Sequence, residues 1–249
     1  MNKIATLGML ALCAGSVLAQ EVKPVPAWDT TVAAGINLSR GNTRNMLING
    51  SVISACKQDK NEAKVGVEAN YGETEVTTTN DTKKMDTNVQ NSRAFMEYRR
   101  LLNERTYAYL NSEIRNDDIA NLDYRLMIGP GIGQYLLKSD TQTLGVELGV
   151  SYIREKLAGV KADDYVALRV AEKYELKMSA TSKVWESVEY LPALEDFSRY
   201  LLNAELGAEA AMNARLSLRI VAQDKYNSEP AVDRKANDFQ LIGGLTYKL

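Results

Sequence analysis

The feature that most constrains this chain is an alternation of apolar and polar residues that recurs from Trp28 to its last residue. Thr143 to Tyr152 shows it best. Leu144, Val146, Leu148, Val150 and Tyr152 share one face of an extended chain, and Gly145, Glu147, Gly149 and Ser151 share the other. The C-terminus repeats the pattern. Phe239, Leu241, Leu245, Tyr247 and Leu249 alternate with Asp238, Gln240, Gly244, Thr246 and Lys248, interrupted only at Gly243. Successive side chains of a strand point to opposite faces, so a period of two sustained over ten residues is a strand signal. The same template predicts twelve strands, at 28–39, 45–57, 61–74, 87–100, 105–116, 122–137, 143–153, 165–177, 181–190, 199–211, 215–226 and 237–249. The fourth and ninth alternate least cleanly. After Ala19 no apolar run is long enough to cross a bilayer as a helix.

The connections carry independent information. Those after the second, fourth, sixth, eighth and tenth segments are short and turn-like: Gln58 to Lys60, Leu101 to Glu104, Lys138 to Gln142, Met178 to Ala180 and Met212 to Ala214. Most of the others are longer and polar: Glu75 to Asp86, Asp117 to Asn121, Arg154 to Asp164, Leu191 to Ser198 and Asn227 to Ala236, with Arg40 to Thr43 the short exception. The Thr-rich stretch from Glu75 to Asp86 reads as a mobile surface loop. Turns on one side and loops on the other are the layout of an outer-membrane barrel with both termini in the periplasm. In that arrangement Trp28, Tyr98, Tyr174 and Tyr247 fall at the periplasmic strand ends. Tyr71, Tyr124, Tyr152, Tyr200, Tyr226 and Phe239 fall at the outer ends. All ten lie on the apolar parity, and two aromatic belts bounding an apolar band are expected of a barrel in a bilayer. A soluble β-sandwich or a periplasmic barrel would alternate in the same way with its apolar residues inside.

The first residues supply the address. Met1-Asn2-Lys3 is a short basic start, followed by an apolar run from Ile4 to Leu18 and by Val17-Leu18-Ala19. This predicts a signal peptide over 1–19, cleaved after Ala19, and a single barrel domain over 20–249. A lipoprotein anchored at Cys13 is disfavoured because Leu12 stands where a small residue is needed. Cleavage leaves Cys56 as the only cysteine, so the exported chain has no internal disulfide.

Composition narrows the chemistry. The chain has no histidine, which removes Ser-His-Asp and Cys-His nucleophiles and every His-ligated metal site. The net charge of -2 argues against a nucleic-acid partner. Gly129-Pro130-Gly131-Ile132-Gly133 looks superficially like a phosphate loop, but it sits in a strand pattern without the following Lys-Ser/Thr. Its glycines read better as inward positions that leave room for neighbours. We expect no enzyme activity, no cofactor and no metal. The residues on the polar parity are instead charged with both signs: Arg93, Glu97, Arg99, Glu113, Arg115, Arg125, Glu147, Arg169, Lys173, Glu175, Glu205, Glu209 and Arg219. Facing a lumen, they would pair and fill much of a barrel intermediate in width between a plugged and an open one.

Several stretches resemble one family. They are Trp28 to Thr43, closing in Gly41-Asn42-Thr43; Tyr98-Arg99-Arg100 followed by Glu104-Arg105-Thr106-Tyr107-Ala108-Tyr109; the Gly-x-Gly-x-Gly-x-Tyr run from Gly129 to Tyr135; and Ser228-Glu229-Pro230 before the last strand. In order, they are similar to the salt-induced outer-membrane proteins, domain of unknown function 481 (DUF481). The resemblance covers essentially the whole mature chain. It implies an outer-membrane barrel of unassigned activity and supplies no catalytic residues. Leu249 departs from the usual aromatic ending of such barrels.

The resulting expectation is an all-β chain, a twelve-stranded antiparallel transmembrane up-and-down barrel in a bacterial outer membrane. Its partners are outer-membrane lipid and, during insertion, the barrel-assembly machinery. Its role is structural or stress-related with a salt-bridged, largely occluded lumen, or alternatively that of a narrow passive channel for small solutes or ions.

Overall fold

The computed structural model describes residues 28–39, 44–77 and 83–249. The leader over 1–19 and its cleavage site therefore lie outside the described residues. Twelve strands follow in order: β1 Trp28–Ser39, β2 Asn45–Gln58, β3 Asn61–Thr77, β4 Lys83–Leu101, β5 Thr106–Asp117, β6 Leu122–Lys138, β7 Gln142–Leu157, β8 Asp163–Lys177, β9 Ser182–Pro192, β10 Tyr200–Ala211, β11 Leu216–Asn227 and β12 Asn237–Lys248. Each pairs antiparallel with its neighbours in chain order, and β12 returns to β1 to close the ring. This is the predicted up-and-down barrel.

The main departure is at the β3–β4 hairpin. Most of the stretch expected to be a loop continues the two strands, with Glu75 paired to Met85 and Thr77 to Lys83. β-branched Thr and Val residues suit a pleated surface, and Lys83 binds Glu75 across the ladder at 2.8 Å. A register shift at Gly72/Glu73 re-aims the upper part of this hairpin.

Four hairpins on the side of the termini share one turn chemistry. Asn103 Oδ1 accepts from the amides of Arg105 and Thr106, and Asn213 Oδ1 from those of Arg215 and Leu216. Ser139 Oγ accepts from the amide of Gln142, and Ser179 Oγ from that of Thr181. A short polar side chain folding back onto the next amides is the local device that makes a tight turn. On the other side, the segments between β9 and β10 and between β11 and β12 fold onto each other. Tyr200 N–H donates to Ser228 Oγ, and Arg234 reaches Asn121 between β5 and β6.

The two faces of the wall have opposite character. Leu148, Ile132, Leu206 and Ile220 lie on the outer face and are half or more exposed, whereas Arg125, Glu147, Glu155 and Arg169 on the inner face are buried. A protein folded in water does the reverse. The wall is therefore built for an apolar surround and a polar interior.

Candidate functional site

The inner wall is assembled from aromatic rings laid on glycines. Phe95 stands opposite Gly66, Tyr109 opposite Gly131, Tyr107 opposite Gly133 and Trp185 opposite Gly207. A Cβ at Gly66, Gly131, Gly133 or Gly207 would lie 2.0–2.6 Å from the facing ring. Each ring therefore lies flat on the neighbouring strand rather than projecting across the lumen. The glycines of the Gly129–Gly133 run thus do what their inward parity suggested. Cations face the same rings: Arg93 over Phe95 at 4.5 Å, Arg99 over Tyr107 at 5.1 Å, Arg169 over Tyr109 at 5.0 Å and Arg219 over Trp185 at 5.0 Å. Guanidinium stacking on a ring fixes the long side chain against the wall.

Glu147 is the centre of the largest charge cluster. It accepts from Arg169 Nη1 at 2.7 Å and from Tyr107 Oη at 2.8 Å, and pairs with Arg99 Nη2 at 3.0 Å. Arg169 also binds Glu189 at 2.6 Å, and Asn203 donates to the same carboxylate. A second cluster joins Arg93 to Glu113 at 2.6 Å and to Glu68 at 3.3 Å, with Arg115 3.9 Å from Glu113. Glu97 lies 3.7 Å from both Lys64 and Arg99. Near the loop end Arg125 and Arg199 share Glu155 at 2.7 and 2.8 Å, and Arg199 also binds Asp163 at 2.5 Å. Burial disfavours the charge of Arg199, but its hydrogen bonds to Asp163 and Glu155 outweigh that and raise its pKa. Glu205 accepts from Trp185 Nε1 and Gln223 Nε2 instead of a cation.

The remaining predicted charges stand apart. Among the described residues, Lys173, Glu175, Glu209 and Arg219 make no ion pair within 4 Å. Sequence reasoning missed Glu68, Glu155, Glu189 and Arg199. Glu68 lies on the inward parity within the predicted third segment, and Glu155 lies on that parity two residues beyond the predicted seventh, so the alternation applied in full and carried slightly further finds both. Glu189 lies on irregular β9, where Glu186 is exposed on the outer face and blurs the pattern.

A cavity of about 410 Å³ occupies the lumen. It runs from Lys57 and Glu62, near the turns, past Arg99, Glu147 and Arg169 to Arg115 and Lys225, near the loops. A smaller space of about 50 Å³ shares Arg115 and Lys225 with it and continues under Pro230 and Ala231. Beside this route an apolar cluster of Met127, Ile153, Tyr165, Ala167, Leu191 and Leu201 fills the loop end of β6 to β10.

Most aromatic residues of the outer face lie toward strand ends, Tyr71 and Tyr152 further inside β3 and β7, and most have polar partners. Tyr98 donates to Asn61, Tyr174 to Gln142, Tyr71 to Glu73 and Tyr152 to Asp164. Arg154 donates to Tyr124, and Arg215 to Tyr247. Tyr200 and Tyr226 stack at 5.4 Å, with Tyr190 edge-on to Tyr200. Trp28 and Phe239 are exposed. A ring in an apolar band whose hydroxyl finds a polar partner at the rim is how tyrosine serves a membrane interface.

The profile "Protein of unknown function, DUF481" matches residues 32–249. The chain belongs to the DUF481 family. No curated protein matches it. Among solved structures, the NanC porin superposes with a TM-score of 0.55 at 7% identity, covering 89% of this chain and all of NanC. The KdgM porin superposes at 0.47 and 5% identity over 90% of this chain and 99% of KdgM. The translocator domain of autotransporter NalP from Neisseria meningitidis superposes at 0.46 and 12% identity, over 89% and 87% of the two chains. At such identities the likeness shows the fold alone. This DUF481 chain has the closed antiparallel barrel of outer-membrane porins, a fold whose surround is membrane lipid. Among the described residues there is no cluster of metal-ligating side chains, and no helix is long and apolar enough to cross a membrane.

Proposed function

We propose that this DUF481 barrel is a narrow passive passage for small polar solutes or ions, without chemistry of its own, in a bacterial outer membrane. One observation carries the reading. The lumen ion pairs join strands that are neighbours or at most three apart, as Arg99 on β4 joins Glu147 on β7. They run along the wall, and the cavity of about 410 Å³ lies between them. Charges of both signs lining a wet path lower the cost of moving a hydrated ion or polar solute through a bilayer. The near balance of signs gives weak preference for anions over cations. In a planar bilayer the purified protein carries small, steady single-channel currents with a reversal potential near zero in a salt gradient. Absence of current over many insertions removes this reading.

A second reading has its own support. The apolar cluster from Met127 to Leu201 and the interlocked connections narrow the loop end. A structural or stress-related barrel with a largely occluded lumen fits these features, and it predicts no current until Glu147 or Arg125 is cut to Ala. Localisation is tested separately. The protein should stay in the outer-membrane pellet and migrate differently when unboiled. Recovery in the soluble periplasm would remove both readings.

A further inference from the structure

The large lumen cavity and the smaller space on its loop side meet at three side chains. Arg115 on β5, Asn203 on β10 and Lys225 on β11 line both. Asn203 and Lys225 are cross-strand partners. β5 lies halfway around the ring from β11, so Arg115 belongs to the opposite wall.

Arg115 sits among like charges. Its cross-strand partners are Arg93 on one side and Arg125 on the other, and like charges directly opposite on neighbouring strands repel. The outer two of this row are compensated. Arg93 binds Glu113 at 2.6 Å and Glu68 at 3.3 Å, and Arg125 binds Glu155 at 2.7 Å. The middle one is not. Its side chain is only 10% exposed, and the one carboxylate within 4 Å is that of Glu113, 3.9 Å away and already held by Arg93. Among the described residues Arg115 makes no hydrogen bond, and Lys225 makes neither a hydrogen bond nor an ion pair within 4 Å. A buried charge without a hydrogen-bonded counter-group is costly.

Two carboxylates lie loopward of these cations. Asp117, two residues beyond Arg115 on β5, and Asp238, in register with Lys225 on β12, line the small space but not the large cavity. Asp117 accepts from the amide of Ala120. Neither carboxylate forms an ion pair within 4 Å among the described residues. Lys235 also borders the small space, but it is exposed on the connection before β12. A simple anion drawn to Arg115 and Lys225 would be repelled by Asp117 and Asp238. A solute with a charge of each sign satisfies both sets. At about 10–15 Å³ for each water, the small space holds roughly four waters, which is room for a solute the size of glycine.

We propose that this junction binds a small zwitterion of the amino-acid class, with a carboxylate and a primary ammonium on a short stem. The carboxylate lies between Arg115 and Lys225, and the ammonium points loopward to Asp117 and Asp238. The proposal rests on the passage reading for its route and names the class of solute that the passage admits.

The test uses the full mature chain, in detergent micelles for binding and in a planar bilayer for current. Saturation-transfer NMR on the carbon-bound protons of glycine, acetate and methylammonium reads binding. Glycine should bind about tenfold more tightly than either single-charge probe, and Arg115→Gln and Lys225→Gln should each weaken it by about tenfold, as loss of one partner of a desolvated charge pair does. Lys225→Arg should keep glycine binding. Asp117→Asn with Asp238→Asn should abolish the preference for glycine over acetate, and Lys235→Gln should leave it unchanged. Unboiled gel mobility identifies the folded variants, and Lys225→Gln on the opposite wall serves if Arg115→Gln does not fold. Acetate bound as tightly as glycine, or glycine binding indifferent to the cation variants, would overturn the proposal. Glycine binding in a barrel that carries no current removes the passage reading and keeps the site. Current without glycine binding removes the site and keeps the passage.

Discussion

The arc from β4 to β9 and the arc from β11 through β1 to β2 are built from the same alternating strands, yet their inner faces differ. On the first, Tyr107, Tyr109 and Trp185 lie on glycines, and Arg99, Glu147, Arg169 and Glu189 form a continuous buried charge cluster. On the second the inner residues flanking the β1–β12 contact are small or neutral, such as Ala33, Gly35, Ser51, Gly244 and Thr246, and the ladder between those two strands thins to four paired positions. A strand pair in a barrel is held by its backbone bonds and by cross-strand side-chain contacts. The first arc has both, whereas the second keeps full ladders between β11 and β12 and between β1 and β2 but has little of either where β12 meets β1. Rigidity is thus concentrated on one side, leaving the seam as the place where the ring can part.

The strongest way to break that contrast is to remove the centre of the cluster. Glu147→Ala leaves Arg99 and Arg169 without their shared carboxylate and should destabilise by about 3–5 kcal/mol. Asn49→Ala on the other arc should change stability by only about 0.5 kcal/mol, as substitutions away from charge networks do. Urea unfolding of vesicle-embedded protein, followed by unboiled gel mobility, measures both. Equal losses would show that the cluster does not set the difference. The same Glu147 variant should raise the single-channel current.

The outer faces offer the next effect. Leu148→Arg places a charge in the apolar band and should cost about 2–4 kcal/mol. Leu241→Arg, beside the open part of the seam, should cost less, because its guanidinium can reach unpaired carbonyls and water. A cysteine at Leu148 in a Cys56→Ser background should react with a lipid-soluble reagent and be shielded from a water-soluble one, with the reverse at Gln142 in a turn. Shielding of Leu148 from both reagents would mean that it lies in a protein core.

Glycines sharpen the comparison further. At Gly207 a Cβ would lie 2.0 Å from the Trp185 ring, whereas at Gly50 and Gly243 nothing stands within 4 Å. Gly207→Ala should therefore lose about 1–3 kcal/mol through overpacking. Gly50→Ala and Gly243→Ala should be near neutral by the same unfolding assay.

The smallest effect belongs to the connection between β9 and β10. The hydroxyl and amide of Ser198 both donate to Asp196 and hold its carboxyl below the usual range. A lowered folded pKa gives stability that is present above the unfolded value and is lost as the pH falls through the folded one. Asp196→Asn should abolish a slight acid-side drop in loop protection, measured by amide exchange of Ser198. An unchanged profile would mean that the turn does not depend on that charge.

Local chemistry made most of the fold legible. Strand number, inward and outward parity and the side of the turns all follow from a period of two and from Asn and Ser at the hairpins, because these are set by neighbours along the chain. The β3–β4 hairpin reads as a loop because Glu75 to Asp86 is polar, but polar residues also suit a strand that rises beyond the apolar band. Irregular β9 hid Glu189, because Glu186 occupies an outward position that the pattern reserves for apolar residues. Among the lumen charges, parity placed Arg93, Glu113, Glu147 and Arg169 on the inner face but could not say which would meet.

The sequence by itself determined that this chain alternates, that its alternation is interrupted in a barrel's rhythm, and that charges of both signs share one face. The tertiary structure alone decided that Arg99 on β4 reaches past two strands to Glu147 on β7, while Arg219 stacks on the Trp185 ring and, among the described residues, makes no ion pair within 4 Å. It also decided that the first and last strands meet over only part of their length. The physical reason is that register between strands distant in sequence depends on closure of the whole ring. Period two specifies which way a side chain points, and closure specifies what it finds there.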